Sequence, residues 1–383
     1  MSNFNFRLAT CLLVGFLSQQ LSAGAVMEPF IFSDVVEPFG VSRDSNGAFF
    51  IADFRQSHRV IRLNLETKRA DYLSAHGFIA EQKPLAAGSG PGQFNMPHSI
   101  AFSPEGNILV TEFGGQRLQL FTKTGQFMGV YQRVPSKGPN QDEVRFLSNP
   151  LPAPLPVTGV LSGPATAFYG PDGNIYVADY SSHSIQKISP RGEFLGRLGA
   201  ALNQAGCQGW HQFPTVASSE LGGLNYPHMV AFDSANNLYV ADTANHRIQR
   251  FELTSGKCRG WLGANAKGEV SAHWKYDGSS SANKALGAFS SPTSIQFSKG
   301  YLLVGEHGNS RVQRFLSNGQ FSGWMGADSN AGISLKWRFE GASTESSIPG
   351  GFSKIYDAKL FNDLLVVADS GNKRVQFFKN LQQ

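Results

Sequence analysis

The chain has 383 residues, 42 of them Gly and 30 Phe, and only 16% are charged, against about 25% in an average globular domain. Its hydrophobic content of 41% can bury a sizeable core and excludes a disordered chain. Beyond the N-terminus no apolar run approaches the roughly 18 residues of a bilayer-spanning helix, and a formal net charge of +5 points hardly at all to nucleic acid.

Residues 1 to 25 read as a secretory leader. Arg7 supplies the positive start, Leu8 to Leu17 the apolar stretch, and Ala23-Gly24-Ala25 a small-residue cleavage site. The expectation is a secreted or periplasmic protein whose mature part, 26–383, is a single domain. Two cysteines remain in it, Cys207 and Cys258, and their spacing leaves pairing open.

The mature part repeats one unit six times, starting at Pro38, Pro97, Pro164, Pro227, Pro292 and Ile355. PHSIAFSPEGNILVTEFGGQRLQLF from Pro97 and PHMVAFDSANNLYVADTANHRIQRF from Pro227 show the pattern. A shared apolar residue falls at Ile51, Val110, Val177, Val240, Val304 and Val367. Each copy reads as an alternating strand, a tight Gly turn, a β-rich strand, a polar corner, a third strand, a second Gly turn and a fourth strand. Four antiparallel strands repeated six times predict an all-β fold, a six-bladed β-propeller. The last copy ends after its third strand, and the spare segment Phe30-Ile31-Phe32-Ser33 is expected to complete that blade.

The run Asn-Leu-Tyr-Val-Ala-Asp-Thr-Ala-Asn-His-Arg-Ile-Gln-Arg-Phe, 237 to 251, resembles the NHL repeat, and the other five copies are variants of it. The resemblance implies the propeller fold and leaves function open, since propellers of this family include scaffolds, nucleic-acid binders and a lyase. The acids Asp53, Glu112, Asp179, Asp242, Glu306 and Asp369 and the bases Arg59, Arg117, Arg247, Arg311 and Arg374 flank one corner of each copy and read as architectural pairs. The third copy has Ser184 where Arg is expected.

Strand topology separates two faces. The hairpin turns of one face are short, whereas the connectors 132 to 160, 200 to 223, 264 to 287 and 328 to 350 on the other are long and carry Trp210, Trp274, Tyr276 and Trp337. The long-loop face is therefore the expected working face. Inner strands start on it, and the residue after the initiating position is Phe39, His98, Ala165, His228, Thr293 or Tyr356. His98 and His228, with Tyr356, could ligate zinc or another divalent transition metal at the channel mouth. Equally, each His could bond a neighbouring blade or lie against Phe.

A Pro-His at the inner strand of alternate blades resembles the peptidyl-α-hydroxyglycine amidating lyases. That resemblance implies zinc on His98 and His228, a structural calcium at Asp357, and catalytic roles near Tyr180 and Arg55. Tyr356 stands where the family has a third His, and Thr243 where it has an Arg. His58, His183 and His246 recur at the polar corner and read as structural; Glu306-His307, on the working face, could reach a ligand or be an architectural acid beside a surface His. The reading is an exported propeller that binds a small-molecule, peptide or protein ligand at the channel mouth without turnover. The alternative is a metal-dependent lyase or hydrolase at the same place.

Overall fold

The computed structural model describes residues 29–80, 87–134, 143–147, 161–202, 207, 209–330 and 332–379. The leader and most of the Pro-rich connector 132 to 160 lie outside the described residues. The fold is an all-β propeller. Its described residues form six antiparallel sheets of four or more strands, whose inner strands are Pro38–Arg43, Pro97–Phe102, Pro164–Tyr169, Pro227–Phe232, Pro292–Ser298 and Ile355–Phe361. Each inner strand lies beside the next, and Ile355–Phe361 returns to lie beside Pro38–Arg43.

Local chemistry accounts for the strands. In sheet two, Ile100 faces Val110, Val110 faces Gln119 and Gln119 faces Val130, so β-branched residues occupy three of the four positions of this buried register, the fourth being the corner Gln. Proline opens five of the six inner strands, the one strand position where a missing N–H costs no ladder bond. The turn after this inner strand needs a left-handed residue, and Gly106 supplies it at φ 86°. Aromatic side chains then fill the space between sheets. Phe102 meets Phe50 with centroids 5.0 Å apart, Phe232 meets Tyr176 at 5.0 Å and Phe297 meets Tyr239 at 5.8 Å. The N-terminal segment Phe30–Phe32 pairs antiparallel with Arg374–Phe378, Phe30 opposite Phe377.

Every corner is a buried polar lock. Glu306 accepts from Arg311 Nε at 2.6 Å, from Gln313 at 2.8 Å and from the backbone N–H of Ser290 at 2.9 Å. The other Arg311 nitrogens donate to the carbonyls of Lys284, Ala285 and Ala288. One acid and one Arg thus tie a blade to the connector that enters it. Asp53–Arg59, Glu112–Arg117, Asp242–Arg247 and Asp369–Arg374 repeat the pair at 2.6 to 3.0 Å. Sheet three departs as its sequence does. Asp179 accepts from Ser162 and Gly163 N–H and from Gln186, with no cation bound among the described residues, and burial pushes its carboxyl up.

The corner histidines latch neighbouring sheets. His58, His183 and His246 adopt left-handed backbone, and their Nδ1 atoms accept the N–H of Met96, Tyr226 and Ser291, each just ahead of the next inner strand, at 3.0 to 3.1 Å. The connectors are more ordered than their irregular sequence implies. Ala200–Ala201 pairs with Thr215–Val216, Ala264–Asn265 with Ser280–Ser281, and Ile333–Arg338 extends the fifth sheet. Their tryptophans pack. Trp210 donates to Leu253 O at 2.8 Å, Trp274 to Ser317 O at 3.2 Å, and Trp337 is buried. Of the four aromatics named above only Tyr276 is well exposed, although Phe213 and Phe339 of the same connectors are exposed too. A disulfide between Cys207 and Cys258 fixes connector 200 to 223 to the outer strand of sheet four.

Candidate ligand site at the channel mouth

Each inner strand breaks register immediately after its first residue, between Pro97 and Ser99, Pro227 and Met229, or Ile355 and Asp357, for example. A bulge re-aims the extra side chain. In sheets two to six that residue is His98, Ala165, His228, Thr293 or Tyr356; in sheet one the bulge spans Phe39 and Gly40. Opposite, the residue after each corner acid leaves the second strand: Phe54, Phe113, Tyr180, Thr243, His307 or Ser370. The two sets meet over the channel around a cavity of about 270 Å³, lined by all of them except Gly40, Ala165 and Ser370 and joined by Arg55 and Ser291.

Aromatic rings form its wall. Phe39 lies face to face with Tyr356 at 3.7 Å and with Phe54 at 4.0 Å. Tyr180 stacks on Tyr226 at 4.5 Å and presents an edge toward Phe113 at 6.1 Å. Small residues at the same register do other work: Thr243 donates to Pro292 O at 2.7 Å and Ser370 to Pro38 O, so both hydroxyls hold the next sheet.

His98 and His228 lie with ring centroids 4.8 Å apart and are both 4% exposed. Burial lowers the His98 pKa well below the ordinary histidine value, and the neighbouring His228 adds to this. Burial likewise takes His228 down to about 4, so the ring is neutral at physiological pH. His228 Nδ1 sits 2.8 Å from the carbonyl of Thr293. A carbonyl only accepts, so Nδ1 carries the hydrogen and Nε2 presents a lone pair. That Nε2 is buried and has no partner, and the same holds for His98 Nδ1. His307, also lowered by burial, lies 5.1 Å from Tyr356 at the rim. Arg55 covers Phe54, stands 4.0 Å from Glu37 and is 61% exposed.

The structure thus brings His98, His228, Tyr356, Tyr180 and Arg55 to one cavity. Asp357 is apart from them, deeper in the channel. Its oxygens accept from Val41 N–H at 2.9 Å, Ser294 Oγ at 2.9 Å and Lys359 Nζ at 3.0 Å, and Lys359 also donates to Val41 O and reaches to 4.8 Å from the Phe168 ring. Donors surround this carboxylate where a calcium ion needs six to eight oxygens, so these residues do not fit calcium. Zinc fares little better. Catalytic zinc takes three protein ligands, and no group of three or more His, Cys, Asp or Glu able to hold a metal occurs among the described residues. Tyr356 is stacked on Phe39 and lies 5.7 Å, ring to ring, from His228.

Sequence reasoning missed Phe54, Phe113 and Lys359. The first two follow a corner acid in the register position of Tyr180, and that alignment was the available signal. Lys359 lies two residues beyond Asp357, on the same side of the strand.

Residues 94–121 and 224–251 match the NHL repeat. The chain is similar to human NHL repeat-containing protein 3, 25% identical over 43% of this chain and 37% of that protein, and to the human E3 ubiquitin-protein ligase TRIM32, 38% identical over 20% of this chain and 12% of that protein. It therefore spans well under half the length of these relatives. Among solved structures it is similar to virginiamycin B lyase from Staphylococcus aureus, with 13% identity, 92% of this chain and 99% of that one covered and a TM-score of 0.50. It is also similar to an auxiliary nutrient binding protein from Bacteroides thetaiotaomicron, with 11% identity, 90% and 69% covered and a TM-score of 0.51. At such identities the likeness is one of fold, and it spans a lyase and a binding protein.

Proposed function

Starting from a β-propeller of NHL repeats, we propose that this protein binds a small ligand in the aromatic cavity at the channel mouth and does not turn it over. We read the six sheets as six blades closed by the N-terminal strand. The observation that carries the proposal is His228, which lines a cavity large enough for a ligand and whose buried Nε2 lone pair has no partner. An unmet buried polar atom costs about 1–3 kcal/mol, a cost that a ligand donor relieves.

The absence of turnover is argued from proton chemistry. A general base works best with a pKa near the operating pH, and a buried imidazole at about 4 is an acceptor rather than a base at neutrality. Tyr180 is raised by burial, which makes its phenol a poorer proton source, and the Thr243 hydroxyl is engaged by Pro292. The amidating-lyase resemblance keeps His98, His228 and Asp357 but loses its third His at Tyr356 and its Arg at Thr243. Export is supported by the leader sequence and by the Cys207–Cys258 disulfide.

Ligand-observed NMR with a chemically mixed fragment library tests the reading. Thr243→Phe fills the cavity, so fragments that bind the native protein are expected to be lost in this variant. Hits that persist in Thr243→Phe would move the site elsewhere. Stoichiometric zinc that disappears in both His98→Ala and His228→Ala would replace the reading with the metal-dependent lyase or hydrolase.

A further inference from the structure

Beside the aromatic cavity lies a second, of about 390 Å³, which shares Arg55, His307 and Tyr356 with it. Its chemistry is different. Arg55, Lys354 and Lys373 line it against a single acid, Glu37, and the Arg55–Glu37 contact is long at 4.0 Å. Across these shared residues the lining changes from a buried hydrogen-bond acceptor, His228 Nε2, past stacked rings to a vestibule with an excess of positive charge.

Building on the ligand-site reading above, we propose that the ligand is a planar aromatic acid carrying one O–H or N–H donor on its ring. Each part answers one feature. The donor meets His228 Nε2, whose partner must be a donor because Nδ1–H is held by Thr293 O. The ring lies among Phe54, Phe113, Tyr180 and Tyr356, where offset and edge-on aromatic contacts add to simple burial. The acid group enters the vestibule, where a guanidinium can take it through two parallel hydrogen bonds. Phe39, between Phe54 and Tyr356, backs the ring slot. Other buried atoms without a partner, such as His211 Nδ1 and Arg197 Nε, belong to residues that line neither cavity.

Calorimetric titration of the intact protein with three matched probes tests this: 4-hydroxyphenylacetate, its methyl ether 4-methoxyphenylacetate, and its neutral amide 4-hydroxyphenylacetamide. The native protein is expected to bind the hydroxy acid about tenfold more tightly than either of the others, the effect of one well-placed hydrogen bond. His228→Phe keeps an aromatic ring but removes the acceptor; it should erase the preference over the ether and keep that over the amide. Arg55→Gln should do the reverse. Equal binding of all three probes, or preferences indifferent to these variants, overturns the ligand class and leaves the site reading standing. Failure of all three to bind also overturns the class; the site reading falls with it only if the fragment library yields no binder that Thr243→Phe abolishes.

Discussion

The blade corners and the channel mouth are built from neighbouring residues of the same repeats, yet they treat polar groups in opposite ways. At a corner, acid, Arg and Gln side chains with backbone carbonyls and N–H groups close on one another, as around Glu306 and Arg311. One step along the chain, the bulge and the residue after the acid turn side chains away from the sheet, and there His228 Nε2 and His98 Nδ1 are left without partners. Agreement among the copies goes with near-saturation, with Asn309 Oδ1 left over at the Glu306 corner, and disagreement with vacancy at the histidines. A repeat protein can vary the second set freely because its fold rests on the first.

The largest expected effect comes from breaking a corner. Arg311→Met strands Glu306 in a fully buried site, and the loss of one partner of such a pair costs about 3–5 kcal/mol; the urea midpoint should fall accordingly, with the m-value unchanged. Sheet three sharpens the point. Asp179 has no directly bonded cation among the described residues and feels Arg197 only through charge, so Asp179→Asn should change stability by only about 1 kcal/mol, within the ordinary range for point substitutions. A loss as large as that of Arg311→Met would mean that the corner depends on the carboxylate itself rather than on the pair.

The smallest effect is a pH dependence at the latches. His58, His183 and His246 accept N–H bonds through Nδ1, and burial lowers all three from the ordinary value of 6.5. Below about pH 6.5 the unfolded chain therefore binds protons that the native one refuses. Their contribution is complete above that value and is lost as pH falls through the lowered folded values. His98 and His228 act in the same direction. Asn tolerates left-handed backbone and can accept without titrating, so His183→Asn should flatten the fall of the urea midpoint between about pH 7.5 and 5. An unchanged slope would remove the latch from the account.

The repeat arithmetic was enough for the sheets, because strand period, Gly turns and the acid–Arg corner are local and recur. It also set His98, His228 and Tyr356 at one register position, while Tyr180 and Arg55 came from the resemblance to the amidating lyases. What the sequence did not disclose is which side chains engage one another. Asp357 looked like an ion ligand until Lys359 and Ser294 were seen to engage its oxygens. The connector tryptophans looked like display residues until Trp210 and Trp274 were found bonded to Leu253 and Ser317 in the next blade. The two tryptophan bonds recur at one separation, 43 residues, so a repeat alignment carried into the connectors would have paired them.

The claim on which the functional reading rests is that His228 is a neutral ring with its hydrogen on Nδ1 and an open acceptor at Nε2. Nitrogen-15 NMR of histidine-labelled protein, assigned with His228→Gln, measures this directly. The account predicts one protonated and one unprotonated nitrogen for His228 from about pH 7 down to pH 5, with only the unprotonated signal moving strongly when 4-hydroxyphenylacetate is added. A ring that takes up a proton near pH 6.5, or an Nε2 signal that moves only on addition of zinc, would contradict it.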